Sequence, residues 1–138
     1  MKLKEFIISR RIEDVKDTLE TAPDESELLY INSMHNIPTF VKIVDGEYWR
    51  FNWKVWVKAE QEIYRAIDEA QELMNLSVLK RITDSISQIK AFERGLAEAI
   101  DILYSINQGS NKYATLFEKP ALEQAIKDYR YIYDSGNQ

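Results

Sequence analysis

Between Thr39 and Trp56 the chain reads TFVKIV, then DG, then EYWRFNWKVW. Two runs of β-branched and aromatic residues, alternating with polar ones around an Asp-Gly pair, are the strongest local signal for a β-hairpin. A two-stranded hairpin is marginal in water, so the rest of the chain has to supply partners for it. Two registers compete. A two-residue Asp45-Gly46 loop pairs Val44 with Glu47 and Ile43 with Tyr48, and sets Val41 and Ile43 on the same face as Arg50 and Asn52. A three-residue Val44-Asp45-Gly46 loop with a glycine bulge pairs Ile43 with Glu47 and Val41 with Trp49. That gathers Val41, Ile43, Trp49, Phe51, Trp53 and Val55 on one face, and the apolar pattern favours this bulged form. The opposite face then presents Phe40, Lys42, Tyr48, Arg50, Asn52, Lys54, Trp56 and Lys58.

From Lys58 onward the period turns helical. Ala59, Ile63, Ala66, Ile67, Ala70, Leu73 and Met74 form one apolar stripe, with acidic residues opposite. A second stripe runs from Leu79 through Ile82, Ile86, Ile89, Phe92, Leu96 and Ile100 to Leu103. It predicts a single helix from Ser77 to Asn107, roughly 45 Å long at 1.5 Å per residue. The two helices are expected to part near Asn75 to Ser77, although no Gly or Pro enforces a break there. Leu116 and Phe117 read as anchors, and Pro120 opens a closing helix with Leu122, Ala125, Ile126 and Tyr129 inward. Ahead of the hairpin, Ile8, Ile12, Val15 and Leu19 predict a helix over 10–20, and Leu28 to Asn32 reads as a strand. Lys2 to Ile8 suits helix or strand equally. No repeat or linker divides the chain, so the expectation is one domain, 1–138, with a helix-and-hairpin part (1–57) and a helical part (58–138). The fold class is α+β and mainly helical: a small antiparallel hairpin or three-stranded sheet, plus a C-terminal bundle with one helix of ~30 residues.

Composition narrows the function. Among 138 residues, 18 Lys and Arg stand against 23 Asp and Glu, a net charge of −5. That balance disfavours coating duplex nucleic acid or an anionic membrane. There is no Cys, hence no disulfide, zinc-thiolate site or thiol nucleophile. No apolar run approaches the length of a membrane span or a secretory core, so a cytoplasmic location is expected. A chain rich in Ile, Lys, Asn and Tyr and poor in Gly suits an AT-rich genome, a low-GC bacterium or its phage, with a virion location in the latter case.

Catalytic groups are scarce. The one histidine, His35, sits in the loop Met34-His35-Asn36 without an evident partner. Walker A, Gly-x-Gly-x-x-Gly and Gly-x-Ser-x-Gly patterns are missing. Glu69-x-x-Glu72 and Glu98-x-x-Asp101 do form spaced carboxylate pairs. This spacing resembles that of MazG-type nucleoside triphosphate pyrophosphatases. The resemblance implies Mg²⁺ held by these four carboxylates between helices and cleavage of a nucleoside triphosphate. Helical geometry, however, points Glu72, Glu98 and Asp101 well away from the apolar stripes of their own helices.

The leading expectation is therefore a non-enzymatic protein-interaction or assembly module, without a cofactor and self-associating through its long helix. Its protein partner would be met by Phe40, Lys42, Tyr48, Arg50, Lys54, Trp56 and Lys58, where aromatic and cationic side chains interleave. The same face suits single-stranded nucleic acid as an alternative, and a Mg²⁺-dependent hydrolase is the other alternative. Tyr64, Phe92, Tyr104, Tyr129, Tyr131 and Tyr133 read as packing residues.

Overall fold

Asp45 and Gly46 both adopt left-handed backbone angles, φ +52° and +80°. This is the sign pattern of a type I′ turn, whose twist matches that of the strands it joins. Val44 pairs with Glu47, Ile43 with Tyr48, Lys42 with Trp49 and Val41 with Arg50. The two-residue loop is thus the one formed, and the bulged register favoured by the apolar pattern is not. The local preference of Asp-Gly for the primed turn prevails over the sorting of apolar residues. A mixed face is acceptable here because a helix with acidic and aromatic side chains lies against it.

The computed structural model describes residues 1–110, 112–113 and 117–134 of the chain; Leu116 lies outside them. It is α+β and mainly helical, and consists of two compact units, 1–80 and 81–138. In the first, α1 (Leu3–Ile8) and α2 (Ile12–Glu20) precede the strands β1 (Leu28–Ile31), β2 (Pro38–Val44), β3 (Glu47–Phe51) and β4 (Trp56–Lys58). Then come α3 (Gln61–Glu69), the two-residue β5 (Met74–Asn75) and the start of α4 (Leu76–Ala91). All strand pairs are antiparallel, in the order β4-β3-β2-β1-β5. Five strands form, where a hairpin or three were expected.

On one sheet face Val41 and Tyr48 pack with Ala59 and Tyr64, joined by Leu28, Ile67 and Leu73. Tyr64, not Ile63, is the inward anchor of α3, and Ile63 is exposed. On the other face Leu29, Ile31, Phe40 and Met74 are buried, as are Phe6, Ile7, Ile12 and Val15 of α1 and α2. The amino group of Met1 donates to the carbonyl of Ile31 at 2.9 Å, tying the start of α1 to the end of β1.

The periodicity carries the helical reading through Met74, but α3 stops at Glu69. Gln71 takes φ +61°, its N–H donates to the Asp68 carbonyl, and the Glu72 N–H donates to the Ile67 carbonyl. These are the two bonds of a Schellman termination, here without glycine. The break expected near Asn75 is real, and β5 fills it.

The second unit holds the remainder of α4, α5 (Leu96–Asn107) and α6 (Lys119–Tyr133). The stretch 77–107 is helical in two pieces instead of one of ~30 residues. Gly95, at φ +60° and ψ −132°, is the N-cap of α5 and separates it from α4. Its core joins Ile89, Ala99, Ile102, Leu122, Ala125 and Ile126. Asp128 of α6 is buried and fully partnered: Arg81 grips it at 3.1 and 3.2 Å, Ser85 Oγ donates at 2.7 Å and Gln124 Nε2 at 2.8 Å. A buried carboxylate needs such a set of donors to offset its lost hydration.

Candidate functional site

The type I′ register decides which side of the sheet each candidate occupies. Tyr48 and Arg50 stand on the side covered by α3. The Tyr48 hydroxyl donates to Asp68 Oδ2 at 2.8 Å, and Arg50 Nε lies 3.8 Å from Glu60 Oε2. The hydrogen bond to Asp68, with burial second, raises the Tyr48 hydroxyl above its ordinary pKa. Burial raises that of Tyr64 as well. Gln61 completes the junction: its amide accepts from the Tyr48 N–H and donates to the carbonyls of Tyr48 and Ala59. Tyr48 is therefore occupied inside the unit, and Arg50 is partly exposed on the α3 side. Phe40 is 1% exposed and belongs to the core. Phe40 and Tyr48 are thus buried, and Arg50 lies on the opposite side of the sheet from Lys42 and Trp56.

The opposite side carries a different set. Strand alternation with the observed pairs Lys42–Trp49, Trp49–Lys58 and Phe51–Trp56 puts all five of these residues on one face, over the β2-β3-β4 half of the sheet. Trp53, in the turn between β3 and β4, joins them by setting its ring edge-on to Phe40, with centroids 6.4 Å apart. Phe51 and Trp56 meet edge-to-face at 5.4 Å, and Lys42 Nζ sits 4.7 Å above the Trp56 ring. All three tryptophans of the chain thus share one platform. Of the expected docking residues, Lys42, Trp56 and Lys58 belong to it, and Lys54 stands at its rim in the β3-β4 turn. Trp49, Phe51 and Trp53 were expected to be internal. The Asp-Gly pair was the signal that could have placed them.

Trp53 is the outlier. It has φ +74°, a region that a bulky residue enters only with strain. The Asn52 side chain caps the turn by accepting from the N–H groups of Lys54 and Val55 at 3.0 and 2.9 Å. The result is a tryptophan 56% exposed in a turn capped by Asn52. Trp49, Phe51 and Trp56 are half-buried around it.

The platform is close to neutral. Glu25 binds Lys42 at 2.6 Å, and Glu47 binds Lys58 at 3.0 Å. Among the described residues, Lys54 alone of these three lysines has no ion pair.

The carboxylate pairs are placed otherwise. Glu69 and Glu72 belong to the first unit, Glu98 and Asp101 to the second. Glu72 accepts from the Met1 amino group at 2.7 Å, and that bond holds its carboxyl below the usual range. Arg94 takes Asp101 at 2.9 Å and offers its backbone N–H to Glu98. Glu69 is exposed at the end of α3. Among the described residues no group of three or more His, Asp or Glu side chains gathers as a metal site would require. His35 is exposed in the turn after β1. No described helix is long and apolar enough to cross a membrane. In the second unit a surface groove of about 620 Å³ runs beside α6, lined by Leu103, Ile126, Lys127 and Arg130 among others. It contains none of the candidate residues. Comparison with protein families, with curated proteins and with solved structures finds no match.

Proposed function

We propose that the chain is a non-enzymatic interaction module that docks a protein partner on the Trp49–Phe51–Trp53–Trp56 platform. One observation carries the reading: every tryptophan in the chain lies on one sheet face, and one of them is held exposed in a strained turn. Exposed aromatic clusters are unusual on a monomer surface and are the side chains that dominate binding energy where proteins meet. Two of the three flanking lysines are balanced by Glu25 and Glu47, so the platform offers apolar area and cation–π geometry with little net charge. That favours a protein over a polyanion.

The test is a Trp53→Ala, Trp56→Ala double variant used as bait beside the wild type. A partner captured by the wild type is expected to be lost, about a hundredfold or more in affinity if each indole supplies a usual hot-spot contribution. A folded variant that keeps every partner of the wild type overturns the proposal. The Mg²⁺-dependent hydrolase reading ranks behind it, because Glu72 and Asp101 already have cationic partners.

A further inference from the structure

The free edge beside the platform has its own geometry. Asn52 donates its N–H to the Val55 carbonyl at 3.1 Å, and Ala59 donates to the Tyr48 carbonyl at 3.0 Å. In an antiparallel ladder inward- and outward-pointing residues alternate. Val55, Val57 and Ala59 therefore turn their backbone groups toward β3, while Trp56 and Lys58 turn theirs outward. Since β4 ends the sheet, nothing in the sheet meets them.

We infer that β4 pairs with β4 of a second copy, antiparallel and two-fold symmetric about Val57, to give one continuous sheet. The register follows from which groups point outward. Trp56 of one copy stands opposite Lys58 of the other, and each such pair exchanges two N–H···O=C bonds. Val57 faces Val57 on the axis. Beyond the paired residues, Lys54 of the β3-β4 turn and Glu60, whose carboxylate lies 3.8 Å from Arg50 of its own chain, flank the two ends of the edge, each near its opposite in the second copy. Among the described residues Lys54 is the one of the three platform lysines without an ion pair, and Glu60 is more than half exposed. The edge is thus complementary to itself in backbone donors and acceptors, in charge, and in the Trp56–Lys58 cation–π pair. Lysines on an edge ordinarily keep strands apart. Here Lys58 is already neutralised by Glu47 at 3.0 Å, and the register sets it against an indole and not against its own copy.

Three strand residues a side bury little area, so the pair belongs among weak, reversible contacts. It rests on the β4 edge alone and not on the platform reading, so Trp53→Ala is expected to leave it intact. The experiment is sedimentation of the full chain over about 10 to 500 µM, the range in which such weak contacts become visible. The mean mass is expected to climb from one chain toward two. Lys58→Pro removes one outward N–H without touching the β3-β4 ladder, and Pro is tolerated at that kind of edge position. It is expected to stay monomeric throughout, with unchanged circular dichroism. If that variant fails to fold, a charge exchange decides. Lys54→Glu alone is expected to weaken association about two- to thirtyfold, the range for exposed pairs repeated twice, and Lys54→Glu with Glu60→Lys to restore it. A wild type that remains monomeric overturns the inference. So does a dimer indifferent to Lys58→Pro, or to the charge exchange where that variant does not fold.

Discussion

Trp53 shows how a residue can be unfavourable where it stands and still be informative. A left-handed angle costs an L-residue about 1–2 kcal/mol, and its edge-on contact with Phe40 returns about 0.5–1.5 kcal/mol. The strain belongs to the backbone, and the ring contact offsets part of it. Trp53→Gly and Trp53→Ala both lose the ring, but only alanine keeps the strain. After allowing for glycine's looser unfolded state, the glycine variant is expected to be the more stable by about 0.5–1 kcal/mol. Urea unfolding of the two variants checks this, and equal midpoints would mean that no strain is stored in the turn. Tyr48 is the contrasting case, an aromatic residue used for the fold. Its hydroxyl bond to a carboxylate is worth about 1–2 kcal/mol, which Tyr48→Phe is expected to remove at neutral pH. The folded-state pKa of this hydroxyl is raised. Its contribution is therefore complete below the unfolded value of about 10 and is lost as pH rises through the higher folded value. Unfolding curves for wild type and Tyr48→Phe should converge above about pH 10; a gap that stays constant into strong alkali would dissociate the hydroxyl from the effect.

Elements were legible in the sequence wherever one period ran uninterrupted. The stripe Ile12, Val15 and Leu19 marks α2, the Asp-Gly pair marks the turn of β2 and β3, and Pro120 marks α6, as observed. What periodicity missed were the breaks. Neither the Schellman end at Gln71 nor the interruption at Gly95 disturbs the spacing of apolar residues, because a chain can change direction and resume the same stripe. The sheet was misread for a related reason: a one-residue shift in register exchanges the two faces, so the aromatic residues assigned to the core emerged on the platform. The two hinge glycines differ in kind. Gly46 (φ +80°) closes the type I′ turn and Gly95 (φ +60°, ψ −132°) opens α5, and an added Cβ would meet nothing within 4 Å at either. Any cost of alanine there is conformational, not steric crowding by neighbours. The left-handed turn is open to alanine at about 1 kcal/mol, while the angles at Gly95 lie close to a region reserved almost wholly for glycine. Gly95→Ala is therefore expected to cost about 2–3 kcal/mol, more than Gly46→Ala, by thermal or urea unfolding. The reverse order would mean that α4 and α5 fuse readily into the single long helix the apolar stripe describes.

At the scale of the whole molecule, charge decides what kind of partner the platform admits. An aromatic face with lysines around it suits stacked bases as well as a protein surface, and the choice lies in the field around it. The chain carries −5 overall, and within the platform Glu25 and Glu47 cancel Lys42 and Lys58. Single-strand binding draws most of its affinity from neutralising phosphates with free cations, and Lys54 is the one such lysine on this rim. Of the four cations expected on one face, Lys42 and Lys58 share a side, Lys54 stands at its rim and Arg50 lies on the other side, and the acids beside Lys42 and Lys58 come from other segments of the chain. A single-stranded oligonucleotide titrated against the intrinsic tryptophan fluorescence should leave it unchanged at physiological salt. At low salt any quenching should fall off with a shallow slope, on the order of one released counterion. Strong quenching with a slope of several counterions would instead assign the platform to nucleic acid, and Lys42→Ala with Lys58→Ala would then weaken it steeply. The same titration on the Trp53→Ala variant separates the cases, because stacking on an exposed indole would be lost along with the signal, whereas a phosphate-driven contact would survive on the remaining two tryptophans.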